Sequence, residues 1–217
     1  MVNMNQAPLD KLLAFVKERF SGDSSGHDYF HTLRVYKMAL ALQKQEGGDE
    51  EIITYASLLH DVDDHKLFPD GHAAKDYLEG EGFAPEKVER ILKIIGDVSY
   101  KGNDSASPNT IEGQIVQDAD RLDAIGAIGI ARAFAYGGSK HRVMHDPDIK
   151  PKLDMNGEET FAHEGTSVNH FYEKLLKLKG MMNTKTAKKI AEGRSKYMED
   201  YLEEFFAEWN ALDVYYK

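Results

Sequence analysis

The chain contains no cysteine. Disulfides and cysteine-rich zinc sites are therefore excluded, and any bound metal must be held by nitrogen and oxygen donors. No apolar run approaches the length of a membrane span. The opening MVNMNQAPLDKLLAF has no basic region followed by an apolar block, so no secretory signal is expected and the cytoplasm is the default location. Positive charge is also scarce. Against 37 Asp and Glu stand 27 Lys and Arg, a formal net charge of −10. That balance argues against binding a nucleic acid polymer through a broad cationic surface. It leaves a small nucleotide open, because a metal and a few local cations can reverse the sign inside a cleft. There is no convincing strand run, internal repeat or low-complexity tract.

What is present reads as helix. At 217 residues with 41% hydrophobic content, the chain suits one domain with an adequate core. Leu9, Leu12, Leu13, Val16 and Phe20 recur at helical spacing. A second helix fits Asp28 to Glu46, closed by Gly47-Gly48, and a third runs from Asp49 to near Asp61. A short helix from His72 to about Leu78 and another from Glu86 to Asp97, opened by Pro85, follow. Thr110 to about Tyr136 reads as one helix, which Gly126 and Gly129 weaken or adapt for close packing. Residues 137–166 break any period with glycine and proline, the pattern of a lid or an insert. Helical stretches resume at Ser167–Lys179 and Thr184 to about Trp209. The class is all-α.

Four residues stand out against this background. His31 falls on a stripe with Val35, Met38 and Leu42. His60 shares a face with Ile53 and Ala56 and is followed directly by Asp61. Adjacent residues on a regular helix diverge by about 100°, so a chelating His-Asp pair works best where a helix ends. The acidic DVDDHK that follows fits such an exit. On the next long helix, Ile111, Ile115, Asp118, Leu122 and Ile125 form one face, and Val116, Asp120, Ala124 and Ala127 the opposite one. Both faces are apolar enough to be buried. Spacing alone does not choose between Asp118 and Asp120, and either carboxylate needs a partner or a metal if buried.

The ordered set HDYFHTLRV, LLHDVDDHK and IVQDADRLDA resembles the HD phosphohydrolase superfamily across roughly residues 25–125. The downstream TSVNHFYEKLLKL and AEGRSKYMEDYLEEF resemble small stand-alone bacterial members. The resemblance implies an HD-type helical bundle with additional C-terminal helices, as a single domain over 1–217. Its metal-site core would span about 25–125, with a loop or lid at 137–166 and C-terminal helices at about 167–213. It implies one divalent cation held by His31, His60, Asp61 and Asp120. Mn²⁺ is the expected ion, with Mg²⁺, Fe²⁺, Co²⁺ and Ni²⁺ as chemically reasonable alternatives. Asp64, three residues after Asp61, matches the position of a general acid or base in related hydrolases, and His65 is a further proton donor. Asp63 is expected to be exposed.

Cations for a phosphate could come from Arg34, Lys66 or Arg121. His27, one turn before His31, could bind phosphate or hold a water. His170 reads as a packing residue. The expected partner is a phosphorylated small molecule, a nucleotide first, and the chain would act as a monomer or homodimer. Two other classes compete. A di-iron oxygenase needs extra histidines between the His-Asp pair and the last Asp, where only His65 and His72 lie, both close to Asp61 in sequence, and a degenerate regulatory domain would have lost ligands.

Overall fold

The computed structural model describes residues 6–21, 28–63, 68, 71–98, 107–153, 165–212 and 214. Among them no strand occurs, and the helices follow the apolar periodicity closely. Helix α1 (Gln6–Arg19) buries Leu12 and Val16, with Phe20 just past its end. Helix α2 (Tyr29–Glu46) begins where the Asp28 carboxylate accepts the His31 backbone N–H. It stops at Gly47, whose φ of 85° belongs to the left-handed region that glycine tolerates and whose N–H returns to the Gln43 carbonyl.

Helix α3 (Glu50–Leu59) is capped by Asp49, which accepts from the N–H groups of Glu51 and Ile52. Every residue from Ile52 to Leu59 is buried. A helix that is apolar all round occupies the middle of a bundle, and α3 does so. It packs between α2, α5 (Pro85–Val98) and α6 (Ile111–Asp123), with α1 also against it. Helix α4 (Ala73–Gly80) lies on α5. The end of this central helix is where His60 and Asp61 emerge.

The stretch 110–136 is two helices rather than the single one expected. Helix α6 ends at Asp123, and α7 (Gly126–Ser139) starts three residues later. Gly126 has φ of 75°, a backbone state that other residues adopt only with strain. A Cβ on Gly129 would lie 2.2 Å from the Ala124 carbonyl oxygen. These two glycines are what allow the corner, a form of the close packing that the sequence admits at them.

Helix α8 (Ser167–Glu173) runs into a 3₁₀ turn at Leu175–Met181, and the long α9 (Lys185–Trp209) follows. Thr184 caps α9 by accepting the Ala187 N–H. Helix α9 packs on α7, α2 and α6. Part of the expected lid is pinned here. Ser167 and Val168 donate to the carbonyls of Val143 and Met144, and the His145 ring stands edge-on to Phe206 and Trp209. Residues 154–164 of that stretch, with His163, lie outside the described residues. His170 is pushed down to about 3 by burial, with Lys174 and Arg142 adding to the effect, as suits a packing residue.

Candidate metal centre

Three helices deliver the donor atoms. His31 sits in the first turn of α2, held there by the Asp28 cap. His60 is the residue at which α3 ends, with φ −60° and ψ −31°, and Asp61 leaves the helix directly after it. Asp120 projects from the third turn of α6. The structure brings all four together. His31 Nε2 lies 3.4 Å from Asp61 Oδ2 and 3.4 Å from Asp120 Oδ1. His60 Nε2 lies 3.2 Å from Asp61 Oδ2 and 3.9 Å from Asp120 Oδ1. The two imidazoles meet edge to face, 5.4 Å between centroids.

The ring orientations are set from behind. His60 Nδ1 is 2.8 Å from the Ser57 carbonyl oxygen. A carbonyl can only accept, so Nδ1 carries the hydrogen and Nε2 of the neutral ring is a bare lone pair. That Nε2 atom is buried and faces only the Asp61 and Asp120 carboxylates, 3.2 and 3.9 Å away. His31 Nδ1 is 2.7 Å from Asp123 Oδ2. Burial would raise the Asp123 carboxyl, but its bonds to His31 and Arg34 outweigh that and hold it well below the usual carboxylate range. Asp123 is therefore an acceptor, His31 Nδ1 donates to it, and His31 Nε2 turns inward. A donated Nδ1–H with Nε2 left for a cation is the usual arrangement of a metal-ligating histidine.

The electrostatics favour positive charge between these groups. Burial would keep His60 neutral, yet the Asp61 and Asp120 carboxylates outweigh it and push the imidazole up to about 9. His31 is likewise raised, its burial overcome by hydrogen bonds to Asp123 and Asp61. A proton here stands where a cation can. Two buried imidazole nitrogens turned toward two carboxylates, and no thiolate, fit a divalent first-row cation or Mg²⁺.

Asp118 has a different task. It is fully buried and accepts from the N–H groups of Asn183 and Thr184, the Asn183 amide and the Thr184 hydroxyl, at 2.8 to 2.9 Å. It ties α6 to the turn that starts α9. Arg121, expected to contact phosphate, is instead buried and donates to the Met181 carbonyl beside that turn. Arg34, also expected on phosphate, forms a two-pronged pair with Asp123, Nε to Oδ1 at 2.7 Å and Nη2 to Oδ2 at 3.0 Å. Asp63, expected to be solvated, accepts the N–H groups of Ala73 and Ala74 at 2.8 and 2.9 Å and so caps α4. Its carboxylate faces back because a helix start needs acceptors. His27, Asp64, His65 and Lys66 lie outside the described residues.

Asp123 and Arg132 also belong to the site, although neither stands in the motif set HDYFHTLRV, LLHDVDDHK and ADRL as a metal or phosphate ligand. Arg132 Nη1 donates to Asp123 Oδ2 at 2.8 Å, so one carboxylate serves His31, Arg34 and Arg132. The signal was available: Asp123 follows Asp120 by three residues and Val116 by seven, on the same helix face.

Comparison with known proteins gives the family. Residues 28–125 match the family model for the HD domain. The protein YpgQ of Bacillus subtilis is 36% identical over 221 residues, covering 99% of this chain and 98% of its own. A crystal structure of YpgQ in complex with ADP superposes with a TM-score of 0.73 at 34% identity, covering 92% of this chain and 97% of that one. A protein of Lactobacillus plantarum superposes with a TM-score of 0.85 at 38% identity, covering 96% and 99% of the two chains. A Bacillus thuringiensis protein described as an HD-superfamily hydrolase gives 0.75 at 48% identity, covering 95% and 98%. Among the described residues, no helix is long and apolar enough to cross a membrane.

Proposed function

The chain belongs to the HD-domain family, and on that premise we propose that it is a metal-dependent phosphohydrolase acting on a nucleotide. The observation that carries this reading is that His31, His60 and Asp120 offer donor atoms within 4.8 Å of one another, with Asp61 Oδ2 3.4 and 3.2 Å from the two imidazole Nε2 atoms. The presence of ADP in the YpgQ crystal structure supports a nucleotide as the class of substrate.

His31, His60, Asp61 and Asp120 would hold one divalent cation, Mn²⁺ first among those the donor set suits. When bound, such an ion supplies Lewis-acid polarisation and charge neutralisation at a phosphoryl group and activates water. The remaining work belongs to the chain. Ser57 and Asp123 fix the two imidazoles so that neither ring has to reorient during turnover. The Asp61 and Asp120 side chains are 16% and 27% exposed, whereas His31 is fully buried. The cluster is therefore open on its carboxylate side, and a substrate phosphate approaches from there.

Hydrolysis of a phosphoester or phosphoanhydride also needs a proton for the departing oxygen. Asp64 is assigned that transfer, with His65 as the alternative. Lys66 and His27 are assigned to the phosphate oxygens. Arg34 is committed to Asp123 and supports His31 instead.

The test is a product-resolved screen of nucleotides with the chain loaded with Mn²⁺, Mg²⁺, Fe²⁺, Co²⁺ or Ni²⁺ in turn. Release of phosphate or pyrophosphate that chelator abolishes is the expected result. No release with any ion, or two irons per chain with oxidised product, overturns the reading.

A further inference from the structure

A cavity of about 250 Å³ lies where α2, α6, α7 and α9 meet. Arg34, Lys37 and Arg194 line it together with Met38 and Ile128, and Asp123 is its acidic group. None of the four cluster residues lines it. It runs along α2 beyond Arg34, behind the Asp123 carboxylate that holds His31.

Its charge is unbalanced. Arg34 is neutralised by Asp123, which also accepts from Arg132. Lys37 has no ion-pair partner among the described residues. Arg194 is half-buried, donates to the Leu122 carbonyl and likewise has no carboxylate partner among them. Burial accordingly pushes the Arg194 guanidinium below its ordinary value, with the Asp123 carboxylate only partly opposing. A half-buried guanidinium without a counterion is costly. In a chain of net charge −10, two uncompensated cations around one concavity are a feature that an anion would satisfy.

The place is also built. The Arg194 stem crosses Gly126, where a Cβ would come within 3.0 to 3.3 Å of its Cγ, Cβ and Cδ. The same glycine that turns the α6–α7 corner thus makes room for the arginine to reach the cavity. Met38 and Ile128 supply apolar wall, so the complementary ligand has an apolar part as well as negative charge.

We propose that this cavity is a second binding site, separate from the metal cluster, for a small phosphorylated organic anion gripped by Lys37 and Arg194. The inference does not depend on the chemistry at the cluster, since the residues that bind the anion are not those that would hold a metal. Arg34 touches both the cavity and Asp123, which places the bound anion one salt bridge away from the His31 imidazole.

Phenyl phosphate is the probe, because it joins a phosphate to a flat apolar ring. Calorimetric titration into the full chain in excess chelator should show one saturable site, with inorganic phosphate binding more weakly. Lys37→Glu and Arg194→Gln should each weaken phenyl phosphate about tenfold or more, the loss of one charge-assisted hydrogen bond. Asp61→Ala should leave it unchanged. Lys37 is exposed, so its variant keeps the test valid if Arg194→Gln does not fold. Absence of a saturable site overturns the proposal. So does binding that Asp61→Ala removes and Lys37→Glu spares, and so does binding equal in all variants.

Discussion

His31 Nδ1 and Asp123 Oδ2 are 2.7 Å apart, joining the first turn of α2 to the last turn of α6. Through this bond an imidazole that faces the acidic cluster is oriented by a carboxylate that faces two arginines. The bond makes Asp123 a positioning residue without itself reaching the cluster. Asp123→Asn should weaken divalent-metal affinity by roughly 10–100-fold, the usual effect of removing the group behind a ligating histidine. Metal stoichiometry at saturation should stay at one. A metal titration showing unchanged affinity would remove this role from Asp123.

The two carboxylates of α6 should separate cleanly. Asp120→Asn should lower metal affinity while leaving thermal stability of the metal-free chain nearly intact. Asp118→Asn should do the opposite, costing about 1–3 kcal/mol because one acceptor oxygen becomes an NH2 group that faces the buried donors of Asn183 or Thr184. Metal titration and thermal unfolding on both variants check this together. The reverse ranking in metal affinity would return the ligand to the Asp118 face.

A proton and a metal compete for the cluster. His60 is raised from its ordinary value to about 9 in the metal-free state. A raised folded-state value means the stabilisation is fully present below about pH 6.5 and is lost as pH climbs through about 9. The metal-free chain should therefore lose stability across that window, and apparent metal affinity should rise over the same range as the proton is displaced. Unfolding midpoints and metal titrations from pH 6 to 10 would show it. A flat profile for both would mean that His60 is neutral throughout.

Much of this was legible in the residues, and the exceptions have physical causes. Apolar spacing is a property of one helix against its neighbours, so α1, α2, α3, α5 and α9 could be read from it. The end of α3 was legible too, because adjacent His60 and Asp61 serve one site only where the helix stops. The corner after α6 was not. Gly126 and Gly129 interrupt no apolar stripe, and their reason lies in Arg194 and the Ala124 carbonyl, which only the fold brings near. The partners of Arg34 and Arg121 were not legible, for a related reason. A cation near a ligand in sequence can serve a carboxylate or a carbonyl as readily as a phosphate, and the partner is decided by packing.

Proton transfer is assigned to Asp64. Asp64→Asn keeps the shape and removes the titrating group, so metal affinity should be retained while kcat falls about 10²–10⁴-fold, the range for a general acid–base residue. Near-normal kcat on the true substrate would pass the role to His65.

The central claim is that His31, His60, Asp61 and Asp120 hold one divalent cation. Metal content per chain, measured by elemental analysis after Mn²⁺ loading and desalting, tests it most directly, with circular dichroism as the control for folding. One ion per wild-type chain is expected and none retained in His60→Ala or Asp61→Ala, with helix content preserved. Either variant binding one ion with wild-type affinity would contradict it.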